Sequence, residues 1–411
     1  MNKLLNVLYY NTFLPKKMGE GLVSRQFLLA AARLDGWQLT AVPPTSPAVL
    51  AESNVRERHK RPNGRGKNRF LVSVRKSLRR LRSPTSSVPV APYFYTRRMI
   101  GQLTAVMQSG IPLDVLLLHL SQQDLETLAR VCRQVEIPIV LRAPGPLAYQ
   151  ADYVLHRYMS QRDRQNEKFL YEVADAILVI SQSMKQLFIG EGVAAEKIHV
   201  VPNGIDLRLF APDESKGEDV RRELGLYGRK VVGYVGGFWP GNDLGTLLKA
   251  WQIVEPVEPE ATLLLVGYGP GLLPAQKLSE ALELKNCVWT GRVDYSQVPR
   301  IMAAMDVGIG PYVPEALAFV SPLKVIEYAA MGLPVVATDG GQISELIADG
   351  VTGFTYEAGS AGQLADRILH LLAAPEVAQT MGRRARQHMQ NWYSWDKVAQ
   401  NIFSVCCQAA A

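Results

Sequence analysis

Residues 321–339, SPLKVIEYAAMGLPVVATD, combine a helix and a strand in one short run. Apolar side chains recur at helical spacing through the first half, and a Gly-Leu-Pro step then ends that pattern. The run that follows, VVAT, is typical of a buried strand. A helix that leads directly into a buried strand is the repeating unit of a parallel sheet, so this stretch predicts an α/β fold.

The same alternation of short apolar runs and longer helical patterns extends along the whole chain. Buried strands are expected at LLNVLYY, WQLTAVP, VLLLH, PIVLRA and AILVIS in the first half, and at KVVGYVG, TLLLVGYG, CVWTGR, VGIGPY, PVVATD and GFTY in the second. Helices such as 23–35, 122–134 and 160–174 separate the first set. This order predicts two α/β units, each with a doubly wound parallel sheet.

Length and composition agree with two domains. A chain of 411 residues with 47% hydrophobic content exceeds one core and supplies enough apolar side chains for two. We expect an N-terminal domain at 1–203, a C-terminal domain at 204–385, and a C-terminal helix at 386–411 that packs back toward the N-terminal domain. The apolar start is too short for a signal sequence, and no later run approaches roughly 18 residues. A cytoplasmic protein with four reduced cysteines is therefore expected.

The net charge of +7 comes from one segment. Residues 56–82 hold twelve Lys or Arg against one acid, which leaves the rest of the chain near −4. This segment belongs to a predicted basic insertion at 52–82, whose end, FLVSVRKSLRRLR, places apolar residues on one helical face and cations on the other. That pattern favours contact with an anionic membrane surface, at the inner face of the membrane. A solvated helix packed on its own domain is the alternative, and sparse aromatic residues argue against a nucleic-acid partner.

The start of the helix quoted above has the chemistry of an anion site. Ser321 can cap the helix, Pro322 fits its first turn, and the backbone N–H groups of Ser321 and Leu323 would point outward, where the macrodipole favours an anion. Lys324 is unfavourable in this turn unless an anion is bound. Glu327 either reaches an edge of the buried face or is exposed. An ordinary capped helix with Lys324 in solvent fits these residues equally well.

Three glycine-bearing turns follow strands in the second half, at 233–241, 263–271 and 290–292. Each lies at the carboxyl end of its strand, where open α/β sheets bind ligands, and small residues let the backbone approach a ligand closely. None has the spacing GxGxxG or GxxxxGK[ST], which argues against NAD and ATP.

These segments occur in a specific order. VVPNGIDLRLF, VVGYVGGFWPGNDLGTLLKAW, LLLVGYGPG, VWTGRVDYSQVPRIMAAMDVGIGPY and SPLKVIEYAAMGLPVVATDGGQISELI together resemble family 4 of the retaining glycosyltransferases. The resemblance is strong over about 175–355 and weaker but collinear before it. It implies the GT-B architecture, in which two Rossmann-like domains face each other across a cleft. The C-terminal domain would bind a nucleotide diphosphate-sugar, and the N-terminal domain would present the acceptor, with no metal or other cofactor.

The resemblance assigns donor-binding roles to individual positions. Glu327 matches the second acid of the family's E-x7-E motif, which holds the ribose hydroxyls. Backbone at 321–323 matches the family's diphosphate cradle, and backbone near Arg292 and Val293 matches its base pocket. Gly19 matches the glycine loop over the diphosphate, and Asn203 lies at the hinge close to the cleft.

Three departures from the family pattern concern the same site. The first acid of E-x7-E aligns with Phe319, so its contact to donor-sugar hydroxyls is absent. The family's phosphate-clamping Arg and Lys align with Gly237 and Asn242, so both cations are missing. Neutralising a diphosphate would then depend on the helix dipole and Lys324, with Arg292 as a weaker candidate.

Two further candidates lie at strand ends in the first half. His119 follows the third strand, where the family often has a His that faces the acceptor; a strand-end His satisfied by backbone is the alternative. Arg142 ends the next strand, where many relatives have a His that contacts the donor sugar. An Arg there can bind a charged sugar or a phosphate but cannot act as a base. With Lys324, these are the candidate catalytic residues, and the resemblance implies retention without an enzymic nucleophile.

The expected function is transfer of a sugar from a nucleotide diphosphate donor to a saccharide or lipid-linked acceptor, in cell-surface polysaccharide or glycolipid assembly. The alternative is a non-catalytic GT-B protein that binds a sugar or nucleotide, or assists assembly, and the three departures keep it open. An epimerase of similar shape is disfavoured by the S-P-L-K-x-x-E helix.

Overall fold

A computed structural model describes the chain from residue 159 to its end and several parts of the first half. The described residues are 5–10, 26–28, 30–31, 33–35, 37–42, 113–120, 125–133, 135–143, 145–147 and 159–411. Gly19 and the basic insertion 52–82 lie outside them, so the interpretations of both stay predictions.

Six strands from the described part of the first half form one parallel sheet in the order β2-β1-β3-β4-β5-β6. They are β1 Leu5–Tyr10, β2 Trp37–Val42, β3 Val115–His119, β4 Ile139–Arg142, β5 Ala176–Val179 and β6 Ile198–Val200. Strands β3, β4 and β5 are buried along their whole length. A strand covered on both faces has no polar side, which is why these segments are unbroken apolar runs in the sequence.

Six strands of the second half form another parallel sheet in the order β12-β11-β10-β7-β8-β9. They are β7 Lys230–Val235, β8 Ala261–Val266, β9 Cys287–Gly291, β10 Val307–Gly310, β11 Val335–Thr338 and β12 Phe354–Tyr356. The predicted pair of parallel α/β units is confirmed. The strand order reverses between β7 and β10, and such a reversal opens a crevice at the carboxyl ends of the strands, where ligands bind.

Besides helical residues at 26–28, 30–31 and 147, the described part of the chain contains thirteen α-helices, none both long and apolar enough to cross a bilayer. Six of them begin after a Ser or Asp whose side chain accepts the N–H three residues later, as an N-cap does. The helices are α1 Leu125–Cys132, α2 Gln161–Val173, α3 Gln182–Gly190, α4 Glu214–Glu223, α5 Leu244–Val257, α6 Leu272–Ala281, α7 Val298–Met302, α8 Pro314–Leu317, α9 Leu323–Ala330, α10 Ile343–Leu346, α11 Ala361–Ala373, α12 Pro375–Trp392 and α13 Trp395–Ala409.

Apolar clusters cover both faces of each sheet. The last helix, α13, belongs to the first sheet: its buried residues Trp395, Val398 and Ile402 join the cluster that contains Tyr9. The hinge runs tightly beside it, since a Cβ on Gly204 would lie 2.7 Å from the Trp395 side chain. The chain turns at residues 393–394, between α12 and α13, and so returns its last helix to the first sheet. All four cysteines are free thiols.

Side chains also join the two sheets directly. Phe319 packs against one apolar cluster of the first sheet, and Leu323 packs against the cluster on its other face. The Gln342 side-chain amide donates to the Ile180 carbonyl at 2.8 Å. These contacts place the start of α9 against the carboxyl edge of the first sheet.

Candidate functional site

Helix α9 begins with a tight turn. The Leu323 N–H donates to the Ser321 carbonyl at 2.8 Å across Pro322, whose φ of −81° and ψ of 66° are those of an inverse γ-turn. Pro322 is the N-cap residue, and no side chain caps this helix. The predictions of a Ser321 cap and a free Leu323 N–H are therefore wrong, because the proline ring favours a turn that pairs that N–H locally.

The donors left at this helix start are different from those expected. Within the described part of the chain, the backbone N–H groups of Ser321 and Lys324 donate to no acceptor. Lys324 lies in the first turn of α9, where the macrodipole favours an anion, and Ser321 immediately precedes the N-cap residue Pro322. An anion site here would consist of these two N–H groups and the neighbouring side chains.

The Lys324 side chain is enclosed rather than solvated. Its Nζ donates to Asn242 Oδ1 at 2.6 Å and to the Tyr312 hydroxyl at 3.1 Å. It also lies 4.2 Å from the Tyr312 ring centroid and 5.2 Å from that of Tyr234, which are cation–π distances. Burial lowers the pKa of Lys324 to about 7, against the opposing charge of Glu327. A bound anion would favour the protonated form of this amine.

The turn after β7 holds this lysine in place. The Gly237 carbonyl accepts from Asn242 Nδ2 at 2.9 Å and from the Tyr234 hydroxyl at 2.7 Å. A Cβ on Gly237 would lie 2.3 Å from the Trp239 indole, which is 53% exposed. Asn242 also forms an isolated bridge with Tyr312, beyond the end of β10. Gly237 and Asn242 thus lie with Lys324 where the strand order reverses.

Glu327 lies one helical turn beyond Lys324 and is also buried. Its Oε1 accepts from the Tyr295 hydroxyl at 2.9 Å. Burial raises the pKa of Glu327 to about 7, although the Tyr295 hydrogen bond and Lys324 both act to lower it. The carboxylate lines a cavity of about 20 Å³ with Asp206 and Trp395. That space fits one water, so a ribose at Glu327 requires neighbouring side chains to move.

A chain of polar side chains connects this site to the first sheet. Arg142 Nη2 donates to Asn203 Oδ1 at 2.5 Å, and Asn203 Nδ2 donates to Ser321 Oγ at 2.8 Å. Arg142 ends β4, and its side chain is only 5% exposed. Among the described residues no carboxylate forms an ion pair with it. The first sheet therefore brings a buried positive charge close to the start of α9.

His119 pairs with Arg142 in the register of β3 and β4. Its side chain is 2% exposed, and burial, aided by the charge of Arg142, lowers its pKa to about 3. The imidazole is therefore uncharged at neutral pH, and its low pKa makes it a weak base.

The expected base-pocket residues lie apart from this cluster. Arg292 is exposed, with its guanidinium carbon 4.9 Å from the Tyr268 ring centroid, and Val293 packs against the core of the second sheet. Neither forms a hydrogen bond or an ion pair with Lys324 or Glu327, but the Tyr295 hydroxyl, two residues beyond Val293, donates to Glu327.

Sequence reasoning missed three tyrosines of the site. Tyr234 and Tyr312 enclose the lysine, and Tyr295 binds the glutamate. The available signal was a hydroxyl-bearing aromatic residue at or just after a strand end, beside a glycine turn.

Two protein-family models match the chain. The model described as Glycosyl transferases group 1 matches residues 229–374, and that described as Glycosyltransferase Family 4 matches 28–209. Only 1–27, 210–228 and 375–411 fall outside both matches.

Curated relatives carry related names. D-inositol 3-phosphate glycosyltransferase of Segniliparus rotundus is 32% identical over 216 residues, which cover 51% of this chain and 46% of the relative. Spore coat protein SA of Bacillus subtilis is 26% identical, covering 52% and 59%. The chain thus spans about half the length of these two relatives. A GDP-mannose-dependent α-(1-6)-phosphatidylinositol monomannoside mannosyltransferase of Mycobacterium tuberculosis is 26% identical over 318 residues, covering 74% and 82%.

Solved structures share the fold over nearly the full chain. Anabaena HepE in complex with UDP and glucose has a TM-score of 0.71 at 19% identity, covering 98% of this chain and 99% of that one. Sucrose-phosphate synthase from Thermosynechococcus elongatus has a TM-score of 0.70 at 19% identity, covering 98% of each chain. The predicted GT-B architecture is confirmed. With both halves matched by glycosyltransferase models, the chain belongs to glycosyltransferase family 4.

Proposed function

We propose that the chain is a retaining glycosyltransferase that moves a sugar from a nucleotide diphosphate-sugar to a saccharide or lipid-linked acceptor. The observation that carries the proposal is the position of Lys324. Its amine is buried at the strand-order reversal of the second sheet, and at the start of α9 the backbone N–H groups of Ser321 and Lys324 have no acceptor among the described residues. A buried cation beside free donors suits a diphosphate.

The proposed reaction exchanges one bond at the anomeric carbon for another. The bond to the phosphate oxygen breaks, and the electron pair leaves with the diphosphate. The acceptor hydroxyl oxygen forms the new bond on the same face, and its proton passes to the departing phosphate oxygen. Lys324 and the N–H groups of Ser321 and Lys324 would stabilise the charge that develops on that oxygen, which is where electrostatic catalysis acts.

The side chains of the first sheet fit supporting roles. Arg142 supplies positive charge and cannot accept a proton, and the buried, uncharged His119 is suited to shaping the acceptor side. Because these cations are built into the chain, the proposal includes no metal. Donor binding and turnover are therefore expected to survive EDTA treatment.

Surface-polysaccharide or glycolipid assembly is the proposed setting. The phosphatidylinositol mannoside transferase among the relatives supports a lipid-linked acceptor. The excess of eleven positive charges in 56–82 supports contact with an anionic leaflet, at the inner face of the membrane in a cytoplasmic protein. Deleting 56–82 should abolish sedimentation with anionic liposomes, and unchanged sedimentation would remove the membrane proposal.

A nucleotide-sugar screen tests the proposed activity. UDP- and GDP-sugars are added to the full chain, and thermal stabilisation and release of free nucleoside diphosphate with acceptor are measured. Stabilisation by a donor, with acceptor-dependent release, supports the transferase. Stabilisation without turnover would favour a non-catalytic binding protein. That alternative is suggested by Phe319, Gly237 and Asn242, which replace the acid and the two cations of the family pattern. No stabilisation by any donor, by UDP or by GDP contradicts the proposal.

A further inference from the structure

The hydrogen bonds that join Arg142, Asn203 and Ser321 have a fixed direction. A guanidinium only donates, so the Asn203 atom that faces Arg142 at 2.5 Å is its carbonyl oxygen. The amide nitrogen then faces Ser321 and donates to Oγ at 2.8 Å. A hydroxyl that accepts this bond keeps its own proton for another acceptor. Ser321 Oγ donates to no acceptor in the described part of the chain.

In the described part of the chain, the buried charge at the other end of this series has no counterion. Arg142 is 5% exposed and has no carboxylate partner among the described residues. An unpaired buried charge is costly, and an anion near it would offset the cost. Asn203 joins this charge to the hydroxyl of Ser321, just before α9. Counting only the described residues as partners, that hydroxyl and the backbone N–H groups of Ser321 and Lys324 have no acceptor.

We propose that Arg142 and Asn203 are positioning residues that direct the Ser321 hydroxyl proton toward the diphosphate of the donor. The first sheet would thereby complete an anion site that the second sheet begins. This inference rests on the proposed function, which places the diphosphate at the start of α9. Because the series of hydrogen bonds crosses between the sheets, donor binding and this arrangement of the sheets stabilise each other.

Asn203→Asp tests the direction of the bonds. A carboxylate has nearly the shape of the amide but only accepts, so it would pair with Arg142 and take the proton of Ser321. The probes are UDP, GDP and inorganic pyrophosphate, and their affinities are measured by titration calorimetry. We expect affinity to fall about tenfold or more, the effect of losing a hydrogen bond to a charged group.

The new negative charge would by itself weaken anion binding, so the same substitution is made in a Ser321→Ala background. If the hydroxyl is directed by Asn203, Asn203→Asp weakens binding clearly less in that background than in the wild type. Equal losses in the two backgrounds would overturn the inference. A merely structural role of Asn203 would not make its effect depend on the Ser321 hydroxyl.

Variants of Ser321 and Arg142 keep the test decisive where Asn203→Asp does not fold. Ser321→Ala is expected to lose about tenfold in affinity for the probes, and Ser321→Thr, which keeps the hydroxyl, is expected to retain it. Arg142→Met, which frees the amide of Asn203 to turn over, should weaken binding in the wild type more than in Ser321→Ala. Equal affinities of the Ala and Thr variants would contradict the role of the hydroxyl.

The probes separate this inference from the proposed function. If UDP or GDP binds and the affinity losses of the Asn203 and Ser321 variants are additive, the inference of a directed Ser321 hydroxyl is wrong and the proposed function stands. If pyrophosphate binds and the affinity losses of the variants are non-additive as predicted, but neither nucleotide binds, the directed Ser321 hydroxyl is supported and the nucleotide-sugar function is contradicted. Binding of none of the three probes contradicts both.

Discussion

Lys324 Nζ lies 2.6 Å from Asn242 Oδ1, although 82 residues separate the two in the chain. The family resemblance predicts that Asn242 stands where relatives carry a phosphate-clamping lysine. On that prediction, helix α9 carries its own lysine to the place of the missing cation. Tyr312 and Tyr234 surround the amine, so its charge is desolvated and available to a ligand in the crevice.

Lys324→Met is expected to lower the affinity for a nucleoside diphosphate by about tenfold or more, because a charge-assisted hydrogen bond to phosphate is lost. Methionine is apolar and of similar length, so it can fill the same aromatic surroundings. Titration calorimetry with UDP and GDP measures the loss. The matched control is Lys249→Met, which removes an exposed lysine on α5. Unchanged affinity in Lys324→Met, or equal losses in both variants, would remove Lys324 from the site.

Moving the cation tests whether position 242 and Lys324 serve one role. Asn242→Lys alone places two ammonium groups next to each other, so we expect a lower melting temperature. Combined with Lys324→Met, the same substitution leaves one cation in the crevice and should recover most of the lost affinity. If the double variant binds no better than Lys324→Met alone, the two positions are not equivalent.

The strands were predictable because both faces of a parallel strand are buried, as in β3 and β8, and local sequence alone shows this. Strand β6 was missed because it is only three residues long and contains a polar residue, His199. The contact of Lys324 with Tyr312 and Asn242 depends on the reversal of strand order, which no local pattern encodes. The prediction that Ser321 caps the helix is wrong because Pro322 takes the N-cap position, in a turn whose Leu323 N–H donates to the Ser321 carbonyl.

Glu327→Gln tests the ribose assignment. A neutral amide is a poorer acceptor for ribose hydroxyls than a carboxylate, so affinity for UDP or GDP should fall about tenfold. The corresponding 2′-deoxynucleotide lacks one of those hydroxyls, and we expect the wild type to bind it more weakly and the variant to discriminate little. Glu280→Gln, at an exposed position of α6, is the control. Equal discrimination in wild type and Glu327→Gln would contradict the assignment.

The buried pair also predicts a pH dependence of stability. Burial raises the pKa of Glu327 from 4.5 to about 7, so between these values the folded chain holds a proton that the unfolded chain has released. Its contribution to the free energy of unfolding is present below pH 4.5 and is lost as the pH rises to about 7. Burial lowers the pKa of Lys324 from 10.5 to about 7, so its contribution is present above pH 10.5 and is lost as the pH falls to about 7.

Denaturant unfolding at pH 5, 7 and 9 measures the pH-dependent contributions of Glu327 and Lys324 to the free energy of unfolding. The difference in stability between Glu327→Gln and wild type should change mainly between pH 5 and 7, and that between Lys324→Met and wild type mainly between pH 7 and 9. Differences that are independent of pH would mean that neither group titrates in these ranges.

Glu345 also joins the two sheets. Its carboxylate accepts the backbone N–H of Gln182 at 2.8 Å and that of Ser183 at 3.4 Å, at the start of α3. A carboxylate at a helix N terminus pairs free donors and favours the macrodipole, so Glu345→Ala should lower the free energy of unfolding by about 1 kcal/mol. Because the helix belongs to the first sheet and Glu345 to the second, the variant should also raise the radius of gyration in small-angle scattering. Glu280→Ala, at an exposed position of α6, should change neither quantity. Equal effects of the two variants would show that Glu345 does not hold the sheets together.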